Sequence, residues 1–360
     1  MNHPSPKAAP EIPVADNPGR PEASPVRDSA RVEHLYAIDL LRFLAAMAVV
    51  ATHWCFTTDQ MQPIMKIHVA KYGFFGVHLF FLISGMVILM SAQGQDLRGF
   101  VAARIVRLYP AFWICCTISA LVAFIDPLLG WPEYFANMTM FPNPFYVSLI
   151  NQAYWSLVVE AKFYLLIAVL LLCGRLHRIE LVMWIWLAAT AFSTSYLMRQ
   201  VIMAPYASFF VGGCACFLLR RQPTWDRWAL LFVAWAVAMN ETAREVAKYN
   251  YVFDTFASCM LVTSFFVVIL AVSKSWLVIP EWKGIALLGA ISYPLYLLHQ
   301  RIAIEMGWTT DSPALLLIAF AWIIILSWVV HRWGELPLQR WMRAKFRTAR
   351  RFNDLPPSLV

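Results

Sequence analysis

The chain has 360 residues, 60% of them apolar and 14% charged, with a mean hydropathy of +0.60. That balance argues against a water-soluble globular fold and for an all-α, polytopic membrane protein. The net charge of +8 is not read as a nucleic-acid footprint, because in a membrane chain the placement of Lys and Arg matters more than their sum.

Residues 1–32 combine Pro, Ala and charge without apolar periodicity and are expected to form a disordered cytosolic tail. The run that follows is too long for a signal-peptide core and has no small-residue cleavage site after it, so it reads as a retained first span. Apolar windows place about ten transmembrane helices at 36–56, 73–92, 108–126, 153–173, 181–198, 204–219, 228–240, 251–273, 284–303 and 314–331, the seventh being short. With the N-terminus inside, the inner segments carry 21 Lys and Arg and the outer loops 6. The positive-inside rule then puts both termini in the cytosol and the protein in the cytoplasmic (inner) membrane. The expected organisation is the tail 1–32, a transmembrane domain 33–335 and a basic cytosolic tail 336–360, whose arginines set topology and touch anionic membrane lipid. The seven cysteines lie mostly inside apolar runs, with neither a disulfide framework nor paired metal-ligand spacing. No metal is expected.

Span one, YAIDLLRFLAAMAVVATHWCF, carries Asp39, Arg42 and His53. Arg42 and His53 are separated by three helical turns to within about 20° and a rise of about 16 Å, so both leave one face at different depths. Charged groups inside a span are costly and mark function by default. Span two opens GFFGVHLFFLISG and runs the other way, which sets His78 at a depth similar to that of His53. Ser84 and Gly85, further along, are small enough to admit a neighbour or a ligand. In RIVRLYP, Arg104 and Arg107 are helical neighbours at the mouth of span three and make a compact anion site. The outer loop 127–152, rich in Pro and aromatics, suits either a cap over an outward-facing cavity or an interfacial loop. Span four, YWSLVVEAKFYLL, puts Glu160 about 10 Å below the outer face, where a carboxylate is paired, solvated or protonated. Lys162 points to a different face. Span nine holds ISYPLYLLHQ, with Pro294 inside it and His299 near its outer end. Arginines 42, 104 and 107 thus lie toward the cytosol, and His53, His78, Glu160 and His299 toward the outside. This reads as a passage whose cationic end suits a phosphate-rich molecule and whose other end offers general bases. The same buried charges would also serve a proton-coupled carrier or channel, against which the absence of a visible inverted repeat counts mildly.

Along these stretches the chain resembles the acyltransferase-3 family of integral membrane O-acyltransferases. IDLLRFLAAMAVVATH, GVHLFFLISG, RIVRLYP, YWSLVVE, SYPLYLLH and the closing ELP at Glu335 to Pro337 follow in order over nearly the whole membrane region. The resemblance implies transfer of an acyl group, usually acetyl, from cytosolic acyl-CoA to a hydroxyl on an extracytoplasmic acceptor. That acceptor is a cell-surface glycan, a lipid-linked saccharide or a small natural product. Acyl-CoA is then a co-substrate, no cofactor is held, and nucleic acid is not a partner. The resemblance also implies that Arg42 and His53 are the essential pair of the first helix and that Arg104 and Arg107, with Arg42, bind the donor. On this reading His53 is the general base, Arg42 and Glu160 complete the catalytic set, and His78, His299, Ser84 and Asp39 hold the acceptor or support the others. Some family members add an SGNH-type esterase-like domain, and this chain is expected to be the stand-alone form. Direct transfer and an acyl-His53 intermediate both remain open.

Overall fold

The computed structural model describes residues 36–56, 68–123, 130–249, 252–305 and 312–346. The expected N-terminal tail and residues 347–360 of the basic tail lie outside them. A backbone in hydrocarbon must satisfy its amides internally, and the described chain does so with helices alone, forming no strand. In order these are α1 (Tyr36–Cys55), α2 (Gly76–Ala92), α3 (Leu97–Ala123), α4 (Trp131–Met138), α5 (Trp155–Leu172), α6 (Ile179–Phe192) and α7 (Tyr196–Val201). They continue with α8 (Ala204–Arg221), α9 (Trp225–Ala247), α10 (Thr255–Ser273), α11 (Lys283–Glu305), α12 (Pro313–Val329) and α13 (Leu336–Phe346).

A helix forms at each of the ten expected stretches, but among the described residues only seven are long and apolar enough to cross a membrane by length and composition. The three others have physical reasons to fall short. α6 has 14 residues, about 21 Å against a hydrocarbon core of about 30 Å. α9, at 23 residues, is longer than the expected seventh span but bears Asp226, Arg227, Glu241, Arg244 and Glu245, which lower its apolar content. α11 also has 23 residues and carries Lys283, Arg301 and Glu305 at its ends. α3 begins at Leu97 rather than near residue 108, so Arg104 and Arg107 sit two turns inside a helix.

Helices α1 and α11 lie side by side in the same sense: Asp39 meets Gly289 at one end and His53 meets His299 at the other. Gly289 is needed for this approach, since a Cβ there would overlap the Asp39 side chain. α2 and α8 cross equally closely, and a Cβ on Gly85 or Gly213 would overlap the Phe210 or Leu82 carbonyl. α12 runs through a π-helical turn, Val330–Glu335, directly into α13. The helix therefore continues past the expected boundary at residue 335, burying Gln339 and Met342. A π turn of this kind re-aims side chains and recurs at functional sites. The 130–152 segment folds onto α3 through Tyr109 and Trp113, which donate to the Thr139 and Met138 carbonyls. Asn151 reaches α11, donating to the Leu297 carbonyl at 2.8 Å.

Candidate active site

At one end of α1 the His53 and His299 rings meet edge-on, with centroids 4.9 Å apart. His299 is fully buried. Its Nδ1 lies 2.7 Å from the Tyr296 carbonyl, and His53 Nδ1 lies 2.9 Å from the Val49 carbonyl. Carbonyl oxygens only accept, so in the neutral rings both protons are on Nδ1. His299 Nε2, 3.3 Å from His53 Nδ1, then accepts a share of that N–H, and the lone pair of His53 is left on Nε2. Trp54 clamps the arrangement by donating from Nε1 to the His299 carbonyl at 3.1 Å. The pair thus holds one imidazole with a defined basic atom.

Next to it, five helices enclose a narrow cavity of about 90 Å³. α2 gives it an apolar stripe at helical spacing, Val77, Phe80, Phe81, Ser84, Val87 and Ile88. Glu160 faces this stripe and accepts from Ser84 Oγ at 2.8 Å and from the Tyr164 hydroxyl, one turn on, at 2.9 Å. Tyr296 lines the cavity and is fixed by Ser156, 2.7 Å from its hydroxyl. It also connects the cavity to the histidine pair, since its carbonyl faces His299 Nδ1. Arg104 is buried over the Phe100 and Tyr164 rings, 5.7 Å from each centroid. Arg107 lies over Tyr293 at 5.4 Å.

Arg42 and Arg107 line this cavity and also a second, wider one of about 280 Å³ at the Asp39 end of α1. They form the neck between the two. The wider vestibule is completed by Asp39, Gly289, His331, Glu335, Gln339, Arg340 and Arg343. Its fixed point is Glu335, which has no exposed surface. One carboxylate oxygen pairs with Arg107 at 3.2 Å and accepts from Gln339 at 2.9 Å, and the other faces His331 Nδ1 at 2.7 Å. The π turn brings His331 and Glu335 together, so the carboxylate holds Arg107 at the neck. A passage lined with cations at one end, with an imidazole pair connected to its other end through Tyr296, can deliver an anionic carrier's arm toward a base.

The profile of a family described as an acyltransferase domain matches residues 35–332, which covers α1 to α12 and the start of the π turn. The chain belongs to the acyltransferase-3 family. Its similarity to acyltransferase MdmB of Streptomyces mycarofaciens is 31% identity over 149 residues, 38% of each chain. An uncharacterized protein of Haemophilus influenzae is 29% identical over 154 residues, 35% of this chain and 61% of that one. The aligned part thus spans about two fifths and three fifths of these relatives' lengths. No solved structure matches.

For this acyltransferase-family chain, the structure brings most of the sequence-derived residues to one passage: Arg42, Arg104, Arg107, Ser84 and Glu160 on the narrow cavity, Asp39 on the vestibule, and His53 with His299 beyond Tyr296. His53 itself does not line the cavity. His78 is not brought to it: that ring is buried among Phe75, Tyr206 and Phe209, at 5.2, 5.9 and 4.7 Å. Lys162 donates to the Gln200 carbonyl, away from Glu160. Sequence reasoning assigned no role to Tyr164, Tyr293, Tyr296, His331, Glu335 or Gln339. Two signals were available: Tyr164 stands four residues after Glu160, and His331 and Gln339 each stand four residues from the Glu335 of the ELP motif, the spacing of helical neighbours.

Proposed function

We propose that the protein is a membrane O-acyltransferase that moves an acyl group, acetyl in the first instance, from cytosolic acyl-CoA to a hydroxyl on an extracytoplasmic glycan, glycolipid or small natural product. The orientation that goes with this reading has both termini in the cytosol, the vestibule facing the cytosol and the histidine pair near the outer surface of the inner membrane. The positive-inside bias of all ten helical stretches supports it.

The observation that carries the proposal is the His53–His299 geometry, which leaves a lone pair on a defined atom, His53 Nε2, in a pair that Tyr296 connects to the narrow cavity, and that cavity has a neck of two arginines. The donor's phosphates remain at the arginines of the neck. The uncharged pantetheine arm passes along the narrow cavity by Arg104 and Glu160 and presents the thioester near Tyr296 and His53. The acceptor oxygen attacks the thioester carbonyl while His53 Nε2 takes its proton. The C–S bond then breaks, and the leaving thiolate receives that proton from the imidazolium. MdmB bears the name acyltransferase, which agrees with the reaction class.

The test uses sealed membrane vesicles with radiolabelled acetyl-CoA on the cytosolic side and a complete surface-glycan extract. Label transferred by wild type and not by His53→Ala supports the reading. Substrate flux without thioester cleavage would instead make the passage that of a carrier.

A further inference from the structure

α13 is the part of the vestibule that the sequence leaves as a basic tail, and it has two different faces. At 100° per residue, Trp341 and Lys345 share one side, and both are exposed, with the ammonium 6.0 Å from the indole centroid. This is the signature of a membrane-surface face. Arg340 and Arg343 lie on the side about 150° away and line the vestibule with Arg42 and Arg107. The charge there is unbalanced. Four guanidiniums face two carboxylates, Asp39 and Glu335, and both oxygens of Glu335 are already engaged by Arg107, Gln339 and His331. Among the described residues, neither Arg340 nor Arg343 has a carboxylate within ion-pairing distance. The Nε of Arg343 is buried with no hydrogen-bond partner. A half-buried guanidinium with an unused donor, in a cavity of net positive charge, is a site for an anion.

We infer that Arg340 and Arg343 bind the ribose 3′-phosphate of the donor, so that α13 selects a 3′-phosphorylated carrier over one that lacks this group. The inference rests on the acyl-CoA reading above. Arg343 is eight residues past Glu335, a rise of about 12 Å along the helix. Within one vestibule, Arg42 and Arg107 at the neck then take the diphosphate, and the α13 pair takes the remaining phosphate. Only the arm without charge continues into the narrow cavity.

The experiment measures binding of CoA and of 3′-dephospho-CoA to the full chain in nanodiscs by calorimetry, for wild type, Arg340→Gln and the Arg340→Gln/Arg343→Gln double variant. Wild type should prefer CoA by about tenfold or more, the scale of one charge-assisted contact. The double variant should bring the two ligands to within about twofold by weakening CoA alone. Arg340 is exposed, so its single variant is expected to fold and to show part of the effect. An unchanged preference in both variants, or equal weakening of both ligands, overturns the inference and leaves the acyl-CoA reading standing. No binding of either ligand to wild type overturns both. Loss of binding to anionic liposomes with CoA affinity intact would assign the pair to lipid instead.

Discussion

Replacing His299 by Ala separates a working base at His53 from a histidine that merely sits near the passage. In the resting protein His53 Nδ1–H is shared between the Val49 carbonyl at 2.9 Å and His299 Nε2 at 3.3 Å. The second is a neutral bond worth about 1 kcal/mol net. Once His53 Nε2 has taken the acceptor's proton, the same N–H belongs to an imidazolium, and hydrogen bonds to charged groups are worth about 1.5–3 kcal/mol. The gain of about 0.5–2 kcal/mol exists only as charge develops. At about 1.4 kcal/mol per factor of ten, His299→Ala should lower kcat about two- to thirtyfold and leave both KM values nearly unchanged. His53→Ala should cost about 10²–10⁴-fold, the range for loss of a general base. His299→Gln, whose side-chain oxygen can accept from His53, should recover part of the loss. Initial rates at varied donor and acceptor, with thermal melts in detergent as the folding control, decide the matter. A folded His299→Ala protein with full kcat, or one as inactive as His53→Ala, would refute a supporting acceptor at this position.

Glu335→Ala should lower the melting temperature strongly, since removing one partner of a buried ion pair costs about 3–5 kcal/mol, and it should raise the donor KM because Arg107 loses its anchor at the neck. A melt unchanged by Glu335→Ala would show that the carboxylate is not the fixed point. Glu160→Leu strands the Ser84 and Tyr164 hydroxyls, each unsatisfied group costing about 1–3 kcal/mol, whereas Glu160→Gln keeps an acceptor; melting should therefore rank wild type, Gln, Leu. Equal melts for Gln and Leu would contradict that order. Gly213→Leu, placed against the Leu82 carbonyl, should prevent accumulation of folded protein in the membrane, while the neighbouring Ala215→Gly should be tolerated; immunoblots of membrane fractions give the comparison.

The sequence by itself determined the helical class, because long continuous apolar runs pair their backbone in lipid as helices, whereas the other solution, a closed barrel, needs short segments of alternating polarity. A helix forms at each of the ten expected stretches, though among the described residues only seven candidate spans result, and six motifs in fixed order pointed to the family. Arg42, Arg104, Arg107, Glu160 and His53 were legible for a related reason: a charge or imidazole inside an apolar run costs free energy that something must offset. Only the tertiary structure decided which of these groups meet. His53 and His299 are 246 residues apart, and His78 matches His53 in depth as well as His299 does. The choice between them is made by packing, with Gly289 letting α11 lie along α1 in the same sense and α8 rings closing around His78. Hydropathy reports the cost of placing each residue in lipid and carries no information on which helix lies beside it. For the same reason Arg340 and Arg343, which read as topology signals in the chain, join Arg42 and Arg107 around one vestibule only because the π turn at Val330–Glu335 swings α13 back against α3.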